Sequence, residues 1–120
     1  MLKDDCVFCK IIKGEIPSEE YYEDDNFLAI FDIHPITKGH IVLFSKNHTA
    51  NVGEMPEQEW QKICSLAREL AEKYIKELKA DGYNLMINQG EAAQSEVAHR
   101  PHIHIVPRYL NDGIKVDPRG

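Results

Sequence analysis

The sequence predicts an α+β domain: one antiparallel sheet of about five strands, a long helix on one side of it and a short N-terminal helix. Three observations predict it. Trp60, Ile63, Ala67, Leu70, Tyr74 and Leu78 recur every three or four residues, the apolar stripe of a helix of roughly six turns. Strand-length segments rich in β-branched and aromatic residues flank that stripe, three before it and two after it. Short connections among the first three favour antiparallel pairing, because a parallel crossover needs a dozen residues or more. The 120 residues contain no repeat, low-complexity tract or dividing linker, so one domain over 1–120 is expected.

In chain order, Phe8, Ile11 and Ile12 are spaced for one face of a short helix within 6–14, and Gly14 can close it in a left-handed cap. Pro17 and Ser18 turn the chain. A strand is expected over 21–23, broken by Asp24-Asp25-Asn26, and a mostly buried one over 27–32, FLAIFD. His34-Pro35 begins a loop, and Lys38-Gly39 leads into a strand over 40–45, HIVLFS. Pro56 stands where the first turn of a helix tolerates proline, and Glu57 and Glu59 suit the positive end of the helix dipole. Asp81-Gly82 is expected to end that helix. Strands follow over 83–88 and 102–108, separated by a polar, small-residue loop at 89–98.

Charge narrows the function. With 14 Lys and Arg against 20 Asp and Glu, the chain carries −6 with His neutral. That argues against a nucleic-acid binder working by bulk charge, since counterion release needs many basic contacts, but leaves room for a small anion held locally. At 42% apolar residues the chain is too apolar for disorder. No apolar run reaches the length that crosses a bilayer, and the start, MLKDDC, lacks a signal peptide's apolar stretch. No membrane partner and a cytoplasmic location are therefore expected. Three cysteines, an odd count with two closely spaced, do not form a secreted disulfide framework.

Cys6-x-x-Cys9 supplies two thiolates, half of a closed tetrahedral zinc site. Taken alone the pair leaves zinc, redox chemistry and plain core packing open, although the strand-then-helix setting of a redox pair is missing. His102-Ile103-His104-Ile105 is sharper. Strand side chains alternate, so the two imidazoles share one face while the isoleucines face the core. Imidazoles side by side bind a metal or handle a phosphoryl group, and His is not a favoured filler of sheet surfaces. His99 lies three residues before His102, an offset that would turn it to the opposite face of an uninterrupted strand. Pro101 removes an N–H and pushes Arg100 toward extended or turn geometry. His99 thus precedes the strand proper, or a bulge restores its facing. His40 and His48, taken singly, read as polar residues near turns, His34 as surface, and Cys64 as core or a partly covered apolar position.

Together these pieces resemble one family. Cys6-Val7-Phe8-Cys9-Lys10-Ile11-Ile12-Lys13-Gly14-Glu15-Ile16-Pro17-Ser18, then Phe27 to Ile33, Gly39-His40, Lys46-x-His48, Asn88-x-Gly90 and His99…His102-x-His104 follow in order over nearly all of residues 6–108. The set resembles the histidine-triad (HIT) family, and looks closest to its Hint-like branch of nucleotide hydrolases and nucleotidyl transferases, in the zinc-containing form. The resemblance implies a HIT-like α+β fold and a homodimer whose two sheets join into one. It implies cleavage at the α-phosphate of nucleoside phosphoramidates or dinucleoside polyphosphates through a nucleotidyl-histidine intermediate. His102 would be the nucleophile, His104 the last triad member, and His40 the support of the pair. A structural Zn2+ would sit on Cys6, Cys9, His48 and His99, four protein ligands leaving no open position. For a purine nucleotide, the resemblance places Asp32 on the ribose hydroxyls, Val7, Phe8, Ile11, Phe31 and Ile33 around the base, and Asn88 near phosphate or ribose. Phe8 and Ile11 also read as the plain core of a short helix.

The chain departs from the family pattern H-x-H-x-H, because Arg100 and Pro101 both fill the first gap. An ungapped match would put Arg100 in the first triad place. A guanidinium has no lone pair for a metal, so His99 is preferred as the ligand. The loop before it lacks the usual glycine-glutamine pair; Ser95 takes the phosphate-contacting place, with Gln94 second. A neutral imidazole, with a free pKa of about 6.5, needs orientation more than activation to attack phosphorus near neutral pH. Two other classes stay open on these residues: a nucleotide-binding adaptor or sensor with little turnover, and a metal-holding protein whose histidines all bind metal.

Overall fold

The computed structural model describes residues 6–93 and 101–115. Its elements are α1 (Val7–Ile12), β1 (Glu20–Glu23), β2 (Phe27–Phe31), β3 (Ile41–Ser45), α2 (Glu57–Leu78), β4 (Gly82–Met86) and β5 (Ile103–Arg108). The five strands form one sheet in the order β1-β2-β3-β5-β4, and each neighbouring pair is antiparallel. The helix α2 carries the chain from β3 to the far edge, where β4 forms, and β5 returns to fill the place between β3 and β4. The α+β fold read from the sequence is the one observed.

Alternation along the strands divides the core in two. Ala29, Ile41, Leu43, Ile103 and Ile105 face α2 and pack against its Ile63, Ala67, Leu70, Ala71 and Tyr74, the stripe read from the sequence. Leu28, Ile30, Val42 and Phe44 point to the other face, where Phe8 and Cys9 of α1 cover them. A helix of six residues cannot roof a five-stranded face as the 22 residues of α2 do. The uncovered remainder is the floor of a cleft, and that asymmetry positions the site.

Most strand boundaries shift by a residue or two from expectation, and three of the differences have a clear local reason. His40 precedes β3 instead of opening it, and its carbonyl accepts the N–H of Asp32 at 3.0 Å, the last rung of β2–β3. β4 stops at Met86, the last residue paired with β5, opposite His104. The long helix ends before Asp81-Gly82, at Lys79, which adopts the left-handed conformation (φ 56°) and donates its N–H to the Ile75 and Lys76 carbonyls. Gly14 (φ 80°) follows α1 as anticipated.

Candidate active site

His104, the second residue of β5, stands on the face opposite Ile103 and Ile105, and His102 stands just before the strand. Both project toward the side only partly roofed by α1. Their ring centroids are 4.9 Å apart, edge to face. Phe8 holds His102 from above: it meets that ring edge-on at 5.3 Å and stacks on Phe44 at 4.2 Å. Phe8 is thus both the core of the short helix and a neighbour of His102. His40, just before the adjacent strand β3, is buried beside them.

The hydrogen bonds fix which ring nitrogens carry protons. A backbone N–H can only donate. The Ile36 N–H donates to Nδ1 of His40 at 3.0 Å, so in the neutral ring that nitrogen holds the lone pair and Nε2 holds the hydrogen. His40 Nε2–H therefore donates to His104 Nδ1, 2.9 Å away. His104, neutral in turn, keeps its hydrogen on Nε2. Polarity thus runs one way, from the Ile36 amide through two imidazoles. Asp32 flanks the relay: one carboxylate oxygen accepts the His34 N–H at 2.8 Å, and the other lies 3.6 Å from His40 Nε2. Burial pushes the His104 pKa down to about 4, His102 and His40 push the same way, and Asp32 opposes them. Burial likewise lowers that of His40, again against Asp32. The pair is neutral at neutral pH.

Asp32, His40 and His104 are close enough to suggest a metal cage, but the tautomers argue otherwise. A metal on His40 Nε2 would require lone pairs on both ring nitrogens, because Nδ1 already accepts from Ile36. Cys6, Cys9 and His48 behave differently. Their ligand atoms lie within 4.8 Å of one another, and Cys9 Sγ is 3.3 Å from His48 Nδ1. Zn–S and Zn–N bonds meeting tetrahedrally would place S and N roughly 3.5 Å apart. Cys6 Sγ accepts the Cys9 N–H at 3.3 Å, which caps α1 and suits a thiolate. These three residues fit zinc as a donor set. His99, expected to be the fourth, lies outside the described residues.

A cleft of about 810 Å³ opens over the histidines. Val7, Phe8 and Ile11 line it from α1, Phe31, Asp32 and Ile33 from the end of β2 onward, and Asn88 from the segment after β4. Every described residue expected around a nucleotide is gathered there; Ser95 lies outside the described residues. The cleft also takes in residues the sequence reading passed over. Ile16 and Pro17 form part of one wall, and Met86 and Ile36 lie near the histidines' end. His34, read as surface, is exposed but sits on the cleft's lining. The signal for it was available: it follows Asp32 by two residues, and an Asp that caps its own loop brings residue i+2 along. Ile33, 86% exposed, offers an unpartnered apolar side chain at the cleft wall.

Fold and site together define a class: a single-sheet α+β protein with a hydrogen-bonded pair of neutral imidazoles, His40 and His104, on the lining of its cleft. The sequence model of the HIT domain matches residues 13–111, and the chain belongs to the HIT domain family. It is 44% identical over 110 residues to a HIT-like protein of Methanocaldococcus jannaschii, covering 90% of this chain and 82% of that one. It is 40% identical over 111 residues to adenylylsulfatase HINT3 of Arabidopsis thaliana, covering 92% of this chain but 56% of that protein. Among solved structures, a Zn-bound histidine triad family protein from Mycobacterium smegmatis superposes with a TM-score of 0.86 at 38% identity, covering 96% of this chain and 84% of that one. The family thus includes a relative named as an adenylylsulfatase and a Zn-bound member.

Proposed function

We propose that this protein hydrolyses, or transfers the nucleotidyl group of, nucleoside phosphoramidates or dinucleoside polyphosphates, breaking the bond between the α-phosphorus and its leaving group. One observation carries the reading: two imidazoles, His102 and the neutral His104, line a cleft of about 810 Å³, within the size range of small-molecule sites. In the first step a ring nitrogen of His102 attacks the α-phosphorus. An N–P bond forms, the bond to the leaving group breaks, and the departing atom takes a proton from solvent. Water then attacks the same phosphorus. The N–P bond breaks, the water's proton passes to solvent, and the nucleoside monophosphate leaves with His102 restored.

The relay assigns His104 a distinct part. Its Nε2–H faces outward from the relay as a hydrogen-bond donor, suited to a phosphoryl oxygen as charge builds in the transition state. It is not assigned as the acid for the leaving group, because no second proton stands behind it: His40 could pass on its Nε2–H only by becoming an imidazolate, since its Nδ1 already accepts from the Ile36 N–H. In this reading Asp32 takes the ribose hydroxyls with its outer oxygen, Val7, Phe8, Ile11, Phe31 and Ile33 enclose a purine, and Asn88 and Ser95 serve the phosphate side. Zn2+ on Cys6, Cys9, His48 and His99 would supply structural tethering, tying α1 to the segment before β5. The protein is proposed to be a single domain over 1–120 that acts as a cytoplasmic homodimer; among the described residues no helix is long and apolar enough to cross a membrane.

The test is release of AMP from an aminoalkyl-linked adenosine phosphoramidate. His102→Ala is expected to lower kcat by about a thousandfold or more, as loss of a covalent nucleophile does, while leaving AMP binding within a few-fold. Equal slow release by both proteins would remove His102 as nucleophile. Tight AMP binding without turnover in the wild type would support the adaptor reading instead.

A further inference from the structure

Three successive residues before His40 are each tied to a different part of the molecule by a hydroxyl. Thr37 Oγ1 donates to the Pro107 carbonyl in β5 at 2.6 Å. Tyr109 Oη, just past β5, donates to the Lys38 carbonyl at 3.1 Å. Tyr74 Oη, from the buried face of α2, donates to the Gly39 carbonyl at 2.7 Å. The turn closes on itself as well: the His40 N–H donates to the Thr37 carbonyl at 3.2 Å, and the Ile36 N–H donates to His40 Nδ1. Gly39 has φ 92°, and a Cβ there would lie 2.8 Å from the Tyr74 oxygen, so the approach of the phenol to the backbone requires glycine at this position.

We propose that Thr37, Tyr74 and Tyr109 are positioning residues that clamp the 37–40 turn so that His40 presents Nε2–H, and never a lone pair, to His104. The inference deepens the functional reading above and rests on it for its kinetic part. A histidine in an ordinary loop exchanges tautomers and flips its ring at little cost, because its two nitrogens find comparable partners. Here the Ile36 amide selects one state, but only while the turn keeps that N–H over Nδ1. If the turn shifts, His40 Nε2 can hold the lone pair, His104 must then carry its hydrogen on Nδ1, and His104 Nε2 would face the cleft as an acceptor. A lone pair aimed at an anionic phosphoryl group repels what it should stabilise. The clamp therefore acts on the transition state more than on nucleotide binding. Burial raises the Tyr74 pKa to about 12, so its phenol stays protonated and remains a donor at any physiological pH.

The experiment uses full-length protein and three substitutions that each delete one hydroxyl: Tyr74→Phe, Thr37→Val and Tyr109→Phe, with Thr37→Ser as the conservative control. Long-range 15N–1H correlation spectra read the tautomers of His40 and His104 directly, and steady-state kinetics on the adenosine phosphoramidate give kcat and KM. Wild type is expected to show His40 and His104 as single Nε2–H tautomers. Tyr74→Phe, Thr37→Val and Tyr109→Phe are each expected to give mixed tautomers at both rings and a fall in kcat of about five- to tenfold, the scale of one lost hydrogen bond, with KM within twofold. Thr37→Ser should restore both readouts. Unchanged tautomers in the three variants overturn the proposal, even where kcat falls with a lowered Tm, since that pattern is general destabilisation. Wild-type His40 carrying its hydrogen on Nδ1 also overturns it. If wild type turns over no phosphoramidate, the functional reading fails while the tautomer spectra still decide the clamp.

Discussion

Burial, reinforced by the neighbouring imidazoles of His102 and His40 and opposed by Asp32, holds His104 at about 4 against an ordinary 6.5. The sign of the consequence follows from linkage. In the unfolded chain the imidazole takes up a proton as pH falls below 6.5, whereas in the folded chain it stays neutral until about 4. The unfolded state binds more protons throughout that window, so stability is full above 6.5 and is lost as pH drops through it. Urea midpoints should therefore fall on acidification across this range, and His104→Gln should flatten the decline. A variant that declines as steeply as wild type would show that other groups set the acid sensitivity. The paired histidines were legible at this scale because strand alternation is a strict period of two. The direction of their hydrogen bonds was not, because it depends on a backbone amide, Ile36, that no side-chain pattern reveals.

The two helices act differently on the site. α2 is long, periodic and buried along one stripe, and its role was readable residue by residue from Trp60 to Leu78. Its end was not: Lys79 closes the helix in a left-handed conformation (φ 56°), which sequence patterns assign to glycine or asparagine. Lys79→Gly should accordingly raise unfolding free energy by about 1 kcal/mol, the cost of a Cβ in that region, measured by urea denaturation; a loss of stability would contradict the strain. α1 is too short to hold itself, since isolated helices below a dozen residues are marginal. The Cys6 cap, the Phe8–Phe44 stack and the Cys6, Cys9 and His48 cluster hold it. Replacing Cys6 and Cys9 by serine should abolish bound zinc in metal analysis and speed amide exchange in α1, with a smaller change in α2. Zinc content equal to wild type would remove the proposed ligand set.

At the scale of the molecule, a five-stranded sheet with unequal covers leaves both a cleft and an open edge. Of the two edge strands, β1 and β4, the second pairs only with β5 among the described residues and shows Leu85 at 42% exposure. A strand paired on one side, with an exposed apolar side chain, invites edge-to-edge pairing, which matches the proposed homodimer with joined sheets. Sedimentation should give twice the chain mass, and Leu85→Lys should shift it toward the monomer; a monomeric wild type would contradict the dimer. The fold was legible because helix and strand periods were cleanly separated along the chain. The cleft was legible only in part: Phe8, Asp32 and Asn88 carried a recognisable pattern, whereas Met86 and Ile36 reach the site through pairing and loop closure that spacing does not encode. The most direct measurement is intact-protein mass spectrometry after mixing enzyme with adenosine phosphoramidate and quenching under denaturing, mildly alkaline conditions. The account predicts one added adenylyl group per chain, mapped to His102 and missing in His102→Ala. Turnover with no adduct, or an adduct mapped to another residue, would contradict it.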